Sequence, residues 1–450
     1  MKKTFITILA VSAGIFAISA CQKNLSDVQT SQVITKTVTV SETPWTADTK
    51  TAFTEADGVK LTGNEKMTVA YGKGTESETI DKNGLQKTLL EATPSSGKWT
   101  FSHSAIKNAT AYNYLFVLPN TKTTALNANN NTLRIELPFI QYPSENSFDS
   151  DCDYFLGQPQ YNVSKMTEIS DIKFKRLFAP LKVEISDSKN VLGDEKIRAV
   201  TFATDIAADE NALVGRVCFA TFSSDYAKAK VGGWSENPGN ALTAFYGTGH
   251  TARNAWFIVS PRSVPKGTKV TLTVNTDSKI ITRVVTLSEA QAIVGEKINV
   301  IPFDISGEGY SVVNNTEFFD FNAMSSINDL ASIVGSKGTA SPWTHSGADM
   351  IVEPSCLRLN LKSSASLSLN STKKVTKIRF YSQPRQPYQT GDVKLNDADG
   401  TVISTIYSVP AANGGYIDID IPAELQGSTI KLTANTNISV FSGATLFYGE

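Results

Sequence analysis

Histidine, cysteine and long apolar runs are all scarce in this chain of 450 residues. The histidines are three, His103, His250 and His345, and no two stand at metal-ligand spacing. No metal site and no cofactor is expected. Neither a Gly-x-Ser-x-Gly elbow nor a His-Glu-x-x-His pair occurs, so no catalytic residue is assigned and the chain does not read as an enzyme. Charge of one sign is also missing: 42 basic side chains balance 43 acidic ones without a basic block, which excludes nucleic acid as a partner. Beyond the first twenty residues no apolar run approaches the roughly 18 residues of a spanning helix. Contact with a membrane is therefore expected through lipid only. Cysteine number is low and, with Cys21 set aside, odd: Cys152, Cys218 and Cys356 are widely spaced. That argues against a disulfide framework, and each reads as a small core residue.

What is there begins at the first residues. Lys2 and Lys3 precede an apolar run from Phe5 to Ile18, and Ile18-Ser19-Ala20-Cys21 follows. This is the layout of a bacterial secretory signal ending in a lipobox, with residues 1–20 removed and Cys21 acylated. Residues 21–27 then form a tether, and the mature chain is expected on the cell envelope.

The periodicity downstream is two rather than 3.6. Ile34, Val38 and Val40 alternate with polar residues, as do Met67-Val69-Tyr71, Leu133-Ile135-Leu137, Leu181-Val183-Ile185, Val270-Leu272-Val274, Ile417-Ile419-Ile421 and Ile430-Leu432. Such runs are strands with one buried face. Pro94-Ser95-Ser96-Gly97, Pro265-Lys266-Gly267 and Asn413-Gly414-Gly415 separate them as turns. Helical signals are confined to Ser326–Val334 and Ser288–Ala292. The fold class is all-β: tandem antiparallel β-sandwiches over 28–168 and 169–305, a linker over 306–312, and a further sandwich over 313–450.

Four stretches of the first two modules resemble the fimbrillins, the lipoprotein pilins of Bacteroidales. They are Lys50-Thr51-Ala52-Phe53 with Leu61-Thr62 and Glu65–Tyr71; Leu137-Pro138-Phe139-Ile140-Gln141 with Asp153–Gly157; Phe174–Val183; and Trp256–Pro261 with Gly295–Val300. The family often has tryptophan where Leu61 stands and Gly-Asp where Asn64-Glu65 stands. The resemblance covers residues 28–305 and implies transthyretin-like sandwiches. It also implies cleavage after a basic residue by a surface protease, removal of an N-terminal strand, and filling of the groove by a strand from the next subunit. Ile34, Val38 and Val40 are then the inward side chains of the removable strand. Lys50-Thr51 is the candidate processing site, with Lys36 and Lys60 as competing basic positions.

The third module reads as a jelly-roll-like sandwich opened by Glu317–Phe321 and closed by Ala444–Tyr448. Sugar sites need flat aromatic faces beside polar groups, so Trp343, Tyr381, Arg385 and Tyr388 are candidate glycan contacts. Against this, Trp343 also suits a core and Tyr381 also continues the Ile378-Phe380 strand. The acidic clusters Asp149-Ser150-Asp151-Cys152-Asp153 and Asn396–Gly400 read as turns rather than calcium loops. The expected function is that of a fimbrial subunit or a tip or accessory adhesin, lipid-anchored to the outer membrane. Its partners would be other fimbrial subunits and a surface glycan or protein ligand. The alternative is a surface glycan-binding lipoprotein that captures nutrients and never polymerises.

Overall fold

The computed structural model describes residues 33–40, 52–54, 58–60, 66–74, 89–95, 98–119, 125–127, 132–164, 168–209, 211–221, 230–234, 236–295, 297–352, 355–382, 389–390, 392–406, 413–435 and 438–450. Among these the regular elements are strands and short 3-10 turns, and the fold is all-β. Candidate positions Cys21, Lys50, Thr51, Arg385 and Tyr388 lie outside the described residues.

The first unit is a nine-stranded sheet. Its order is Ile169–Ile172, Val33–Val40, Lys98–Ser104, Leu90–Ser95, Met67–Lys73, Ala111–Leu118, Phe155–Gly157 and Phe174–Arg176, with Gln160–Ser164 also paired to Ala111–Leu118. Lys98–Ser104 shows why such segments become strands. Trp99, Phe101 and His103 are buried while Lys98, Thr100, Ser102 and Ser104 are exposed, so one pleated face supplies the core and the other meets water.

The central strands depart from that pattern, because both of their faces are buried. Tyr112, Tyr114, Phe116 and Leu118 line the first core, whereas Leu115 and Val117 project into a second, larger core. Met67, Val69 and Tyr71 lie with the former and Ala70 with the latter. Ala111–Leu118 is therefore a wall common to two cores.

The second unit sandwiches two sheets over that larger core. One runs Ile140–Gln141, Ala241–His250, Ile197–Thr204, Lys269–Thr276, Ile280–Thr286 and Ser311–Val313. The other runs Asn254–Val259, Ala179–Ser186 and Asn299–Asp304, the last two parallel with Leu181 opposite Asn299. Segments placed by sequence in the first module also pair here: Thr132–Leu137 lies against Gly215–Thr221, and Ile140–Gln141 lies parallel to Ala241–His250. The stretch read as a linker contributes Ser311–Val313 to the sheet edge.

The third unit packs a sheet of Thr316–Asp320, Gly443–Tyr448, Val375–Tyr381 and Tyr416–Asp420 against two further sheets, around a core that includes Phe319, Trp343, Leu357, Phe380 and Leu432. The helical signal over 326–334 is a single 3-10 turn, Ile327–Ala331. It is capped by Ser326 and by Asp329, whose carboxylate accepts the Ser326 N–H at 2.8 Å. The stretch 288–292 is not helical. Five residues cannot support a helical nucleus, and Gln291–Ile293 instead pairs with Arg262–Val264.

Candidate functional site

The most distinctive element is the Val33–Val40 strand, which lies between two neighbours of opposite sense. It runs antiparallel to Lys98–Ser104, from Val33 opposite Ser104 to Thr39 opposite Lys98. It runs parallel to Ile169–Ile172, with Val38 opposite Ile169 and Val40 opposite Ile172. The antiparallel ladder runs from Val33 to Thr39, whereas the parallel one engages only the C-terminal end of the strand, at Val38 and Val40. Ile34 and Val38 point inward, 6% and 0% exposed. Val33 is exposed, and the Thr35 hydroxyl lies 2.8 Å from that of Ser102 on the outer face. Without this strand, the edges of Lys98–Ser104 and Ile169–Ile172 that it pairs would be left open.

One inward position was not anticipated. Lys36, read as a competing protease site, is buried between Ile34 and Val38. Its ammonium donates to the carbonyl oxygen of Ser164 at 2.6 Å. Burial lowers its pKa from the ordinary lysine value. A peptide bond held inside a paired strand is shielded from proteolysis, so Lys36 is no cleavage site while the strand is seated. The only sequence signal was its even spacing from Ile34 and Val38.

Behind it lies an aromatic and polar cluster. His103 Nε2 is 2.9 Å from the Tyr114 hydroxyl, and its Nδ1 is 3.0 Å from the Ser104 carbonyl oxygen. The Tyr71 ring centroid is 4.2 Å from that of His103, and the Tyr112 centroid is 4.8 Å away. Burial lowers the His103 pKa, with the nearby Lys36 charge acting in the same direction and the hydrogen bond to the Ser104 carbonyl acting against it.

The candidate glycan contacts are not brought together. Trp343 is fully buried against Phe321 and Phe380 in the third core. Tyr381 is 1% exposed and ends the Val375–Tyr381 strand. Neither presents a ring to solvent, which corrects the expectation for both: the apolar body of each was spent on packing. Tyr381 instead joins two units. Its hydroxyl accepts from the Asn275 carboxamide at 2.7 Å, and the same nitrogen donates to Thr445 Oγ1 at 2.6 Å. Around them Ile140, Ala199, Phe245, Phe318 and Tyr381 form a small buried cluster between the second and third units. The Thr243 hydroxyl donates to the Gly414 carbonyl at 2.7 Å. Gly414 and Gly415 both have positive φ, and a Cβ on Gly415 would collide with Ile140. The Gly-Gly pair read as a turn is also a close backbone approach.

The acidic clusters are structural. Asp149 accepts from the Tyr142 N–H at 2.8 Å and the Asp151 N–H at 3.0 Å, capping a 3-10 turn. Asp153 forms a buried bidentate ion pair with Arg176 at 3.0 and 3.1 Å. Asp397 accepts the Thr401 N–H at 2.8 Å within a hairpin whose Gly400 has φ of 90°. Among the described residues, no group of three or more His, Cys, Asp or Glu side chains is placed to hold a metal ion. Cys152 is buried in the larger core and Cys356 in the third unit, 3.5 Å from the Ser442 hydroxyl. The side chain of Cys218 is outside the described residues.

No family model matches the chain, and no curated protein matches it. Solved structures do align with it. A candidate cell adhesion protein from Bacteroides uniformis shares 11% identity over 62% of this chain and 95% of its own, with a TM-score of 0.36. A similarly described protein from Bacteroides ovatus shares 8% over 62% and 95%, with a TM-score of 0.34. The minor pilin of Streptococcus agalactiae shares 14% over 60% and 94%, with a TM-score of 0.19.

Proposed function

We propose that this chain is a surface-displayed fimbrial accessory subunit or adhesin. It is lipid-anchored through Cys21 to the outer membrane and accepts a strand from a neighbouring subunit at the place held by Val33–Val40. The observation that carries the reading is the seating of that strand: eight residues, amphipathic, paired along one edge from Val33 to Thr39 and on the other at Val38 and Val40, with Ile34 and Val38 as inward anchors. The lipobox and the fimbrillin-like stretches point the same way.

A tip or accessory position suits the third unit better than a repeating stalk. Its Gly443–Tyr448 strand is paired on both edges, with Thr316–Asp320 and with Val375–Tyr381, so that strand is committed to its own sheet and is not one to donate. The chain then accepts a strand at one end and displays a rigidly docked sandwich at the other.

The test is the N-terminal residue and intact mass of the protein sheared from native cells. A start at Thr51, abolished by Lys50→Ala, is the expected result. A chain that still starts at lipidated Cys21 would overturn strand removal and favour an anchor subunit or a stand-alone surface glycan binder.

A further inference from the structure

The Val33–Val40 strand carries an internal ambiguity. Its sequence is Val-Ile-Thr-Lys-Thr-Val-Thr-Val, nearly a two-residue repeat of β-branched side chains. A one-residue slip would turn the threonines inward and is prevented by burial alone. A two-residue slip would keep Ile34 and Val38 on the inward face and the threonines, with Val33, on the outward face. Apolar packing discriminates poorly against it, since isoleucine and valine replace one another at small cost.

Lys36 breaks the repeat. It is 3% exposed and stands opposite Phe101, with its ammonium on the Ser164 carbonyl oxygen at 2.6 Å. Ser164 ends a strand that pairs with Ala111–Leu118 and not with Val33–Val40, so the lysine bonds a strand other than its own ladder neighbours. Moved by two residues, the ammonium would lie opposite His103 or Trp99, the partners of Ile34 and Val38. Both of those residues are buried, and the hydrogen bond from Lys36 to the Ser164 carbonyl would be lost. A buried charge without its partner is costly. An apolar residue in place of Lys36 would carry no such penalty in the slipped register, and in the native register it would forgo the hydrogen bond to Ser164.

We infer that the Ser164 carbonyl and the buried position held by Lys36 form a register- and partner-selecting site. It accepts a β-strand that carries a lysine or arginine between two inward aliphatic residues, in the pattern aliphatic-x-Lys-x-aliphatic. This rests on the strand-acceptance reading above and adds the chemistry of the acceptable donor. The Gly443–Tyr448 strand is not such a donor, having no basic residue and being already paired on both edges.

The test uses the full chain with a sequence-specific protease site inserted between Pro44 and Lys50, cut after folding. Labelled octapeptides of the native 33–40 sequence and of its Lys36→Arg and Lys36→Met versions are offered for exchange. The native peptide should enter, the arginine version should bind within a few-fold of it, and the methionine version should bind at least tenfold more weakly. Equal binding of native and methionine peptides would overturn the selecting role while leaving the groove intact. Entry by none of the three would overturn strand acceptance itself, and the inference with it. A second readout needs no cleavage. In the uncut chain, Thr35→Cys with Ser102→Cys reports the observed register, since these residues are opposite one another. Thr37→Cys with Ser102→Cys reports the two-residue slip. Adding Lys36→Met should raise the slipped cross-link several-fold, and an unchanged ratio would overturn the register role.

Discussion

Asn275 and Tyr381 belong to different sandwiches, yet the Asn275 carboxamide nitrogen lies 2.7 Å from the Tyr381 hydroxyl, buried from water on both sides. A hydrogen bond in such a place contributes about 1 kcal/mol net, and more is lost when one partner is left behind. Tyr381→Phe should therefore lower stability by about 1 kcal/mol and Asn275→Ala by about 1–3 kcal/mol. The two changes should be less than additive, because they share one contact. Calorimetric melting of both single variants and the double variant checks this.

Trp343 should behave as a core residue. Trp343→Ala should cost about 3–5 kcal/mol and melt the third unit early, whereas Trp343→Phe should keep the fold at a smaller cost. Near-ultraviolet circular dichroism with denaturant titration distinguishes the two. A folded Trp343→Ala variant of wild-type stability would contradict the packing described.

The Asp153–Arg176 pair sits where the two cores of the first units meet, its side chains 0% and 3% exposed. Asp153→Ala should cost about 3–5 kcal/mol, since the guanidinium would stay buried without its carboxylate. Replacing both residues by leucine and methionine should recover most of that loss. Urea unfolding of the three variants measures the difference.

His250 sets a pH dependence. Burial lowers its pKa to about 4, outweighing the opposite pull of the nearby Glu145 carboxylate. The unfolded imidazole titrates near 6.5, so the folded state binds fewer protons between the two values. The stability linked to His250 is complete above about pH 6.5 and is lost as pH falls toward 4. Asp320 acts in the opposite sense: desolvation raises it to about 6, so its ionisation weakens the fold as pH rises through that range. His250→Phe should remove the first effect alone. Between pH 7 and pH 4 the wild type should lose on the order of 1–3 kcal/mol relative to that variant, as read from denaturation midpoints at each pH.

Much of the sandwich architecture is legible in the sequence because a strand with one wet face writes its burial as alternation. Leu181, Val183 and Ile185 are all inside, as are Ile430 and Leu432. Alternation fails where both faces are covered. Met67-Val69-Tyr71 reads as half-buried, yet Thr68 and Ala70 between them are buried as well, because a second core lies behind. Only the pairing of distant segments reveals that. The same holds for the site. Ile34 and Val38 are visible as inward aliphatics, but the role of Lys36 depends on a carbonyl 128 residues away. Tyr381 has the composition of a sugar platform and the position of an interface residue, and composition alone does not distinguish them.

The wall formed by Ala111–Leu118 has a mechanical consequence. Alternate residues of this one strand are rooted in different cores, Tyr114 and Phe116 on one side, Leu115 and Val117 on the other. Tension applied across the first two units cannot stretch a joint between them, because they have no joint there. Pulling the strand from either core strips the other in the same stroke, so under load the pair should yield as one body at one force, where beads on a string would give way in succession.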